Sequence, residues 1–247
     1  MPHVPPRKRH PYDQWSPDAR ALDLVGDKWT LLIIRDLAAG PRRFVELQRL
    51  LPGISTEQLR SRLNRMVADE MLTRERFREV PPRVEYELTE RARELMPVLG
   101  ELARWAYEWA WGPPNESEKV DVGAIFRLAP GLIAVDDNAG TVEFTVRETD
   151  GAVSYCCTVG PRGVAVHEGE GRSPDARVTG SPADWVRALS PDGDRRGLEF
   201  SGNRDLADKL LEDLVAHNHP PERPKPTETA PRSPDGAEVH GSTPLGV

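Results

Sequence analysis

Between Ile54 and Glu70 the chain reads ISTEQLRSRLNRMVADE, and the polar residues there carry the groups that pair with base edges and phosphates. Ser55 is placed to cap a helix, and Gln58, three residues on, completes a capping box that satisfies backbone donors at the helix start. Leu59, Leu63 and Met66 recur at i, i+4 and i+7, one face of a helix, and Val67 widens it. The opposite face carries Glu57, Ser61, Asn64 and Arg65, flanked by Gln58 and Arg62. Hydroxyls, amides and guanidinium groups on one helix face can enter a major groove, which is wide enough to admit one helix.

The elements around this stretch must hold it out. Ser16-Pro17-Asp18 starts a helix, and Gly26 stops it. Asp27 caps the next, Lys28 to Ala39, which is apolar around most of its girth and so is the central core helix. Arg42-Arg43 precede a short helix, Val45 to Leu51, and Pro52-Gly53 turns the chain into the stretch above. Helix, glycine turn and polar-faced second helix make a helix-turn-helix. Arg42 and Arg43, at a helix N-terminus, are placed to clamp phosphate. Residues 71–79 alternate with period two and 84–88 return, a hairpin with a proline-stiffened tip. Arg74, Arg76, Arg78 and Arg83 make it a basic wing, with Arg78 and Arg83 reaching phosphate or the minor groove. Thr89 caps a long helix to about Gly112. Leu95, Leu99, Leu102, Trp105 and Trp109 lie along one stripe of it, richer in aromatics than so small a core needs, and are expected to form a homodimer seam.

Residues 16–111 resemble the HxlR family of winged-helix transcriptional regulators, a branch akin to MarR. The stretches that carry the resemblance are ALDLVGDKWTLLIIRDLAAGPRRFVELQRLLPGIS, LRSRL and PPRVEYELTERARELMPVL. It implies a dimeric regulator that binds double-stranded DNA at a pseudo-palindromic operator. Many members have a reactive cysteine just before the first helix. Here that position is Ser16, and a hydroxyl cannot do thiolate chemistry at neutral pH.

The 247-residue chain has a net charge of −7, unevenly spread: residues 1–113 carry +2 and residues 114–247 carry −9. The first half therefore has local basic clusters, not a basic field. No run is apolar enough to span a membrane and no signal-peptide pattern opens the chain, so a cytoplasmic protein with no membrane partner is expected. The two cysteines, Cys156 and Cys157, are neighbours on an expected strand and point to opposite faces, so they cannot easily pair. No catalytic constellation, cofactor loop or metal spacing is recognised. The chain is read as no enzyme, with no cofactor. His217 and His219 have no third ligand nearby, so no metal site is expected there.

The expected organisation is α+β. A disordered arm, 1–14, precedes a winged helix-turn-helix domain with a long dimerisation helix, 15–112. A linker, 113–117, leads to a second α+β domain, 118–217, and a Pro-rich disordered tail follows, 218–247. In the second domain Val120 to Leu128 is read as a helix. Strands are expected at 131–136, 140–148, 152–159, 163–168, 176–180 and 198–202, and helices after Ser181 and from Arg204 to Ala216. The order of strands, ARVTGSPADWVRALSP and GLEFSGNRDLADKLLEDL is similar to the sterol-carrier-protein-type-two-like fold. That resemblance implies an antiparallel sheet covered by helices, enclosing a tunnel for a small hydrophobic ligand. On this basis the chain is a homodimeric transcriptional regulator with a ligand sensor. The alternatives are a ligand-free interaction or architectural module in the second half, and an enzyme whose winged helix only mediates assembly.

Overall fold

A computed structural model describes residues 11–80, 82–135, 139–190 and 193–215. The arm expected at 1–14 lies within them only from Pro11 on. The tail expected at 218–247, with His217 and His219, lies outside them.

Ser16 opens the fold by accepting the Ala19 N–H at 3.3 Å, and so caps α1 (Pro17–Val25). Asp27 then starts α2 (Thr30–Leu37). Its carboxylate accepts the backbone N–H groups of Trp29 and Thr30 at 2.9 and 3.2 Å, and the Thr30 hydroxyl. Ile33, Ile34 and Leu37 of α2 are fully buried. Next come β1 (Arg42–Arg43), α3 (Phe44–Leu50) and α4 (Thr56–Ala68). The capping box of α4 forms as expected: Gln58 N–H donates to the Ser55 hydroxyl at 3.2 Å, and Ser55 N–H to Gln58 Oε1 at 3.1 Å. Leu59, Leu63 and Met66 are its buried face. The wing is β2 (Leu72–Phe77) against β3 (Arg83–Leu88), paired from Leu72↔Leu88 to Phe77↔Arg83. β1 joins the other edge, giving the order β1-β3-β2.

The long helix expected from Thr89 to Gly112 is two helices, α5 (Glu90–Arg93) and α6 (Met96–Trp109). Pro97 explains the break. It has no N–H to give, and its ring would clash with the carbonyl four residues back, that of Arg93. Residues 111–120 cross to the second half along the surface, each of them exposed.

There the helix expected at 120–128 shortens to α7 (Gly123–Phe126), and α8 (Ala129–Leu132) follows directly. The strand expected from Gly131 to Asp136 does not form over its described residues. A short apolar run suits helix and strand alike, and Gly131 is used instead to bring α8 against α6. A Cβ at Gly100 would lie 1.9 Å from the Gly131 carbonyl oxygen, and one at Gly131 would lie 2.1 Å from that of Met96. The remaining elements are β4 (Gly140–Glu148), β5 (Gly151–Gly160), β6 (Gly163–Glu168), β7 (Ala176–Gly180), α9 (Pro182–Ala188), β8 (Glu199–Gly202) and α10 (Arg204–Leu214).

These strands form one sheet, β6-β5-β4-β7-β8. It is not wholly antiparallel, because β7 runs parallel to β4, from Val142↔Ala176 to Val146↔Gly180. The cause is the connection 169–175. It crosses back over the sheet to the far side of β4, held by Gly171 N–H on Glu143 Oε2 at 2.6 Å and Asp175 N–H on the Thr141 carbonyl at 2.8 Å. Phe126, Phe144 and Trp185 are wholly buried and pack ring to ring, with Phe126 between the other two at 5.0 and 4.9 Å. One continuous apolar core runs from Ile33 of α2 to Val215, across both halves of the chain.

Candidate DNA-binding face and the junction behind it

On α4, Ser55, Thr56, Glu57, Gln58 and Ser61 are exposed, as the periodicity requires. Gln48 of α3 donates to the Thr56 hydroxyl at 2.8 Å, tying the two helices of the motif together. The arginines divide. Arg62 turns back to Asp27, Nη1 to Oδ2 2.9 Å, with side chains 15% and 4% exposed. Arg65 lies 3.4 Å from Asp69, its side chain 14% exposed. Arg60, on the flank opposite Arg62, is open to solvent and, among the described residues, pairs only with Glu57 at 2.9 Å. Helical periodicity does not single out Arg60, which sits beside the most outward positions. Arg62 is equally lateral, and only the carboxylate of Asp27, in the turn before α2, decides between them.

The wing and its approach divide in the same way. Arg43 is exposed, with Glu85 3.9 Å away. Arg42 points inward: its Nε donates to the Asp36 carbonyl at 2.7 Å, and it pairs with Glu168 of β6. Arg74, Arg76 and Arg78 are exposed. Arg83 stacks over the Phe77 ring at 4.3 Å and pairs with Glu85 at 3.2 Å and Glu79 at 3.5 Å, so much of its charge is answered within the hairpin. Val80 at the tip is fully exposed.

Along α6, Leu102, Trp105 and Trp109 are 48%, 60% and 63% exposed, and Val98 lies beside them at 48%. Leu99 is buried and Leu95 half-buried against the subunit's own core. The seam stripe thus has an inner part that holds α6 down and an outer part left open.

Behind the reading face lies a buried ionic junction that the sequence analysis did not single out. Arg127 of the second half is fully buried. Its Nε meets Asp36 of α2 at 3.2 Å, Nη1 donates to the Tyr155 hydroxyl at 2.9 Å, and Nη2 pairs with Asp121. Burial works to lower the Arg127 pKa, but Asp36 and Asp121 overcome it and hold the guanidinium charged. Burial pushes the Tyr155 phenol up to about 12, so it stays neutral. Arg104 of α6 donates to the carbonyls of Gly131 and Leu132 at 3.3 and 2.9 Å, capping the end of α8. The only signals for this junction are the Arg35-Asp36 pair in LLIIRDLAA, whose side chains meet at 2.9 Å, and a lone arginine in AIFRLAP, charges set within apolar runs.

Cys156 and Cys157 are buried and free, on opposite faces of β5. Burial raises both thiol pKa values, with Glu143 adding to the effect at Cys156. Thiols held in the neutral form are poor nucleophiles. Among the described residues no three His, Cys, Asp or Glu side chains converge on a metal-sized site, and no helix is long and apolar enough to cross a membrane.

A helix-turn-helix with a hairpin wing, its second helix exposed along a polar face, defines a winged-helix DNA-binding protein. The HxlR-like helix-turn-helix family model matches residues 24–112. The uncharacterised HTH-type transcriptional regulator YvaP of Bacillus subtilis is 37% identical over 90 residues, 36% of this chain and 83% of YvaP. The uncharacterised HTH-type regulator sll1512 of Synechocystis is 40% identical, over 38% of this chain and 69% of its own. Among solved structures, the reduced form of the transcriptional regulator YodB of B. subtilis is 34% identical, over 41% of this chain and 100% of that one, with a TM-score of 0.36. The chain therefore belongs to the HxlR-like helix-turn-helix family: it is a DNA-binding transcriptional regulator, not an enzyme.

Proposed function

We propose that this regulator acts in the cytoplasm as a homodimer on a pseudo-palindromic operator. In this reading α4 enters the major groove with Ser55, Thr56, Glu57, Gln58 and Ser61 toward the bases, and Arg60 and Arg65 at its flanks. Arg43 and Arg78 neutralise phosphate at its two sides, with Arg83 behind them at the wing. Arg62 and Arg42 serve the site by bracing it, through Asp27 and Asp36. The exposed Leu102, Trp105 and Trp109 close a two-fold seam on α6 that sets the spacing of two recognition helices. The observation that carries the reading is the polar outer face of α4, left open while its neighbour Arg62 is tied to the core.

The test is operator binding by fluorescence anisotropy over a salt series. Affinity is expected to fall as salt rises. Arg60→Ala is expected to cost about 1–3 kcal/mol if Arg60 meets a base edge, and Arg43→Ala to flatten the salt slope by about one unit. Wild-type affinity and slope in both variants would remove the assignment.

The resemblance of residues 118–217 to the sterol-carrier fold gives the second half a ligand-responsive role. A ligand there would shift the helix spacing only through unequal affinity for two arrangements. The second reading, a ligand-free module, is favoured by the packing of Phe126, Phe144 and Trp185, which occupies the space beneath β4. Native mass spectrometry of the purified protein separates the two: a retained hydrophobic molecule supports the sterol-carrier role, and repeated failure to retain one supports the module.

A further inference from the structure

If the aromatic core beneath β4 is filled, an effector must be held elsewhere, and the second half offers a different place for one. A cleft of about 220 Å³ opens where the two halves meet. Val146 and Val153 of β4 and β5, Tyr155, Val120, Pro182 and, from the winged helix, Leu50 are among its lining. Its volume lies below the roughly 300–1,000 Å³ of sites for drug-sized ligands. That suits a compact body of about ten heavy atoms better than a sterol or a long acyl chain.

Charge selects the class. Of the cleft's two cations, Arg42 is paired with Glu168 and donates to the Asp36 carbonyl, while Lys119 Nζ keeps its charge and is held on the Arg49 carbonyl at 2.7 Å. Two of its three carboxylates are committed as well, Glu168 to Arg42 and Asp121 to Arg127. Glu148, at the exposed end of β4, has no ion pair or side-chain hydrogen bond among the described residues. An anion entering here would have to share Lys119 with the Arg49 carbonyl and would face an open carboxylate. A cation would complete the set while its apolar part covered the valines.

We propose that this cleft is an effector site for a small organic cation: an ammonium group placed on Glu148, with a compact apolar body against Val146, Val153 and Tyr155. The proposal rests on the regulator reading and specifies its regulation. An occupant would touch β4 and β5 on one side and Arg42, the first strand of the wing sheet, on the other. Its binding would therefore depend on how the halves sit and would be felt at the DNA-reading face.

The test uses full-length protein, with phenethylamine as the probe and phenylacetate as its matched anion, by isothermal titration calorimetry. Phenethylamine is expected to bind saturably, one per chain, and phenylacetate not at all. Glu148→Gln, an exposed substitution, is expected to weaken the amine by about tenfold or more, roughly 1.4 kcal/mol, with an unchanged melting curve. The proposal is overturned if neither phenethylamine nor benzyltrimethylammonium binds up to about 10 mM. It is equally overturned if the anion binds as well as the amine, or if Glu148→Gln binds the amine like wild type. Operator binding measured without amine stands apart. A protein that grips DNA but ignores amines loses only this site, whereas one that binds amine but no DNA loses the regulator reading.

Discussion

Arg60 and Arg62 stand two residues apart on one helix and have opposite fates, because only one of them has a carboxylate within reach. Arg62 meets Asp27, whose other oxygen already holds the first N–H groups of α2, so a single acid fixes both the start of the core helix and the pitch of the recognition helix. Both side chains are largely removed from water, where losing one partner strands the other charge. Arg62→Ala is therefore expected to lower the melting temperature and to weaken specific and non-specific DNA binding together. A double-mutant cycle with Asp27→Asn should give a coupling of about 0.5–3 kcal/mol, the range for residues in direct contact. Unchanged melting, with affinity lost at a single base pair only, would return Arg62 to the groove. Helical periodicity located Arg62 on the correct angle of α4. It could not show Asp27, because a partner far away in the chain, in the turn before α2, leaves no mark on the local period.

At the scale of elements, the features visible in sequence were those whose causes are local. The Ser55–Gln58 capping box, the buried Leu59-Leu63-Met66 stripe and the alternating arginines of β2 need only neighbours a few residues away. The break between α5 and α6 was hidden by an apolar stripe that runs on unbroken across Pro97. The parallel entry of β7 depends on a crossing loop, and α8 depends on its approach to α6, so neither is written in a period. That approach is testable. Gly131 has no room for a side chain, with the Met96 carbonyl oxygen 2.1 Å from where Cβ would sit. Backbone cannot yield as a side chain tip can, so Gly131→Ala is expected to destabilise the protein by at least the roughly 1–3 kcal/mol of overpacking. Denaturant unfolding measures it. An unaffected midpoint would mean that α8 does not lie on α6 at this distance.

Across the whole molecule, the second half is fastened to the first by charge as well as by apolar surface, and the two fastenings predict different things. The continuous core from α2 to Val215 predicts a single cooperative unfolding transition, because neither half buries its apolar face alone. The Arg127 junction predicts where that transition is vulnerable. Arg127→Met leaves the wholly buried Asp36 with only Arg35, 2.9 Å away and partly exposed, as its ion-pair partner among the described residues, which softens the loss without cancelling it, while Asp121 is partly exposed and can turn to water. Breaking such a pair by removing one partner costs about 3–5 kcal/mol, whereas replacing both with apolar residues is often neutral. Asp36→Leu combined with Arg127→Met is therefore expected to be more stable than Arg127→Met alone, although it carries one more substitution. Calorimetry of the three proteins decides the matter. The junction is refuted as a fastening if Arg127→Met splits the transition in two and shifts only one part, since that would make Arg127 internal to the second half. Recovery in the double variant, with one transition kept throughout, would place Asp36 of the core helix and the second half in one cooperative unit, through which a change at the cleft could reach α4.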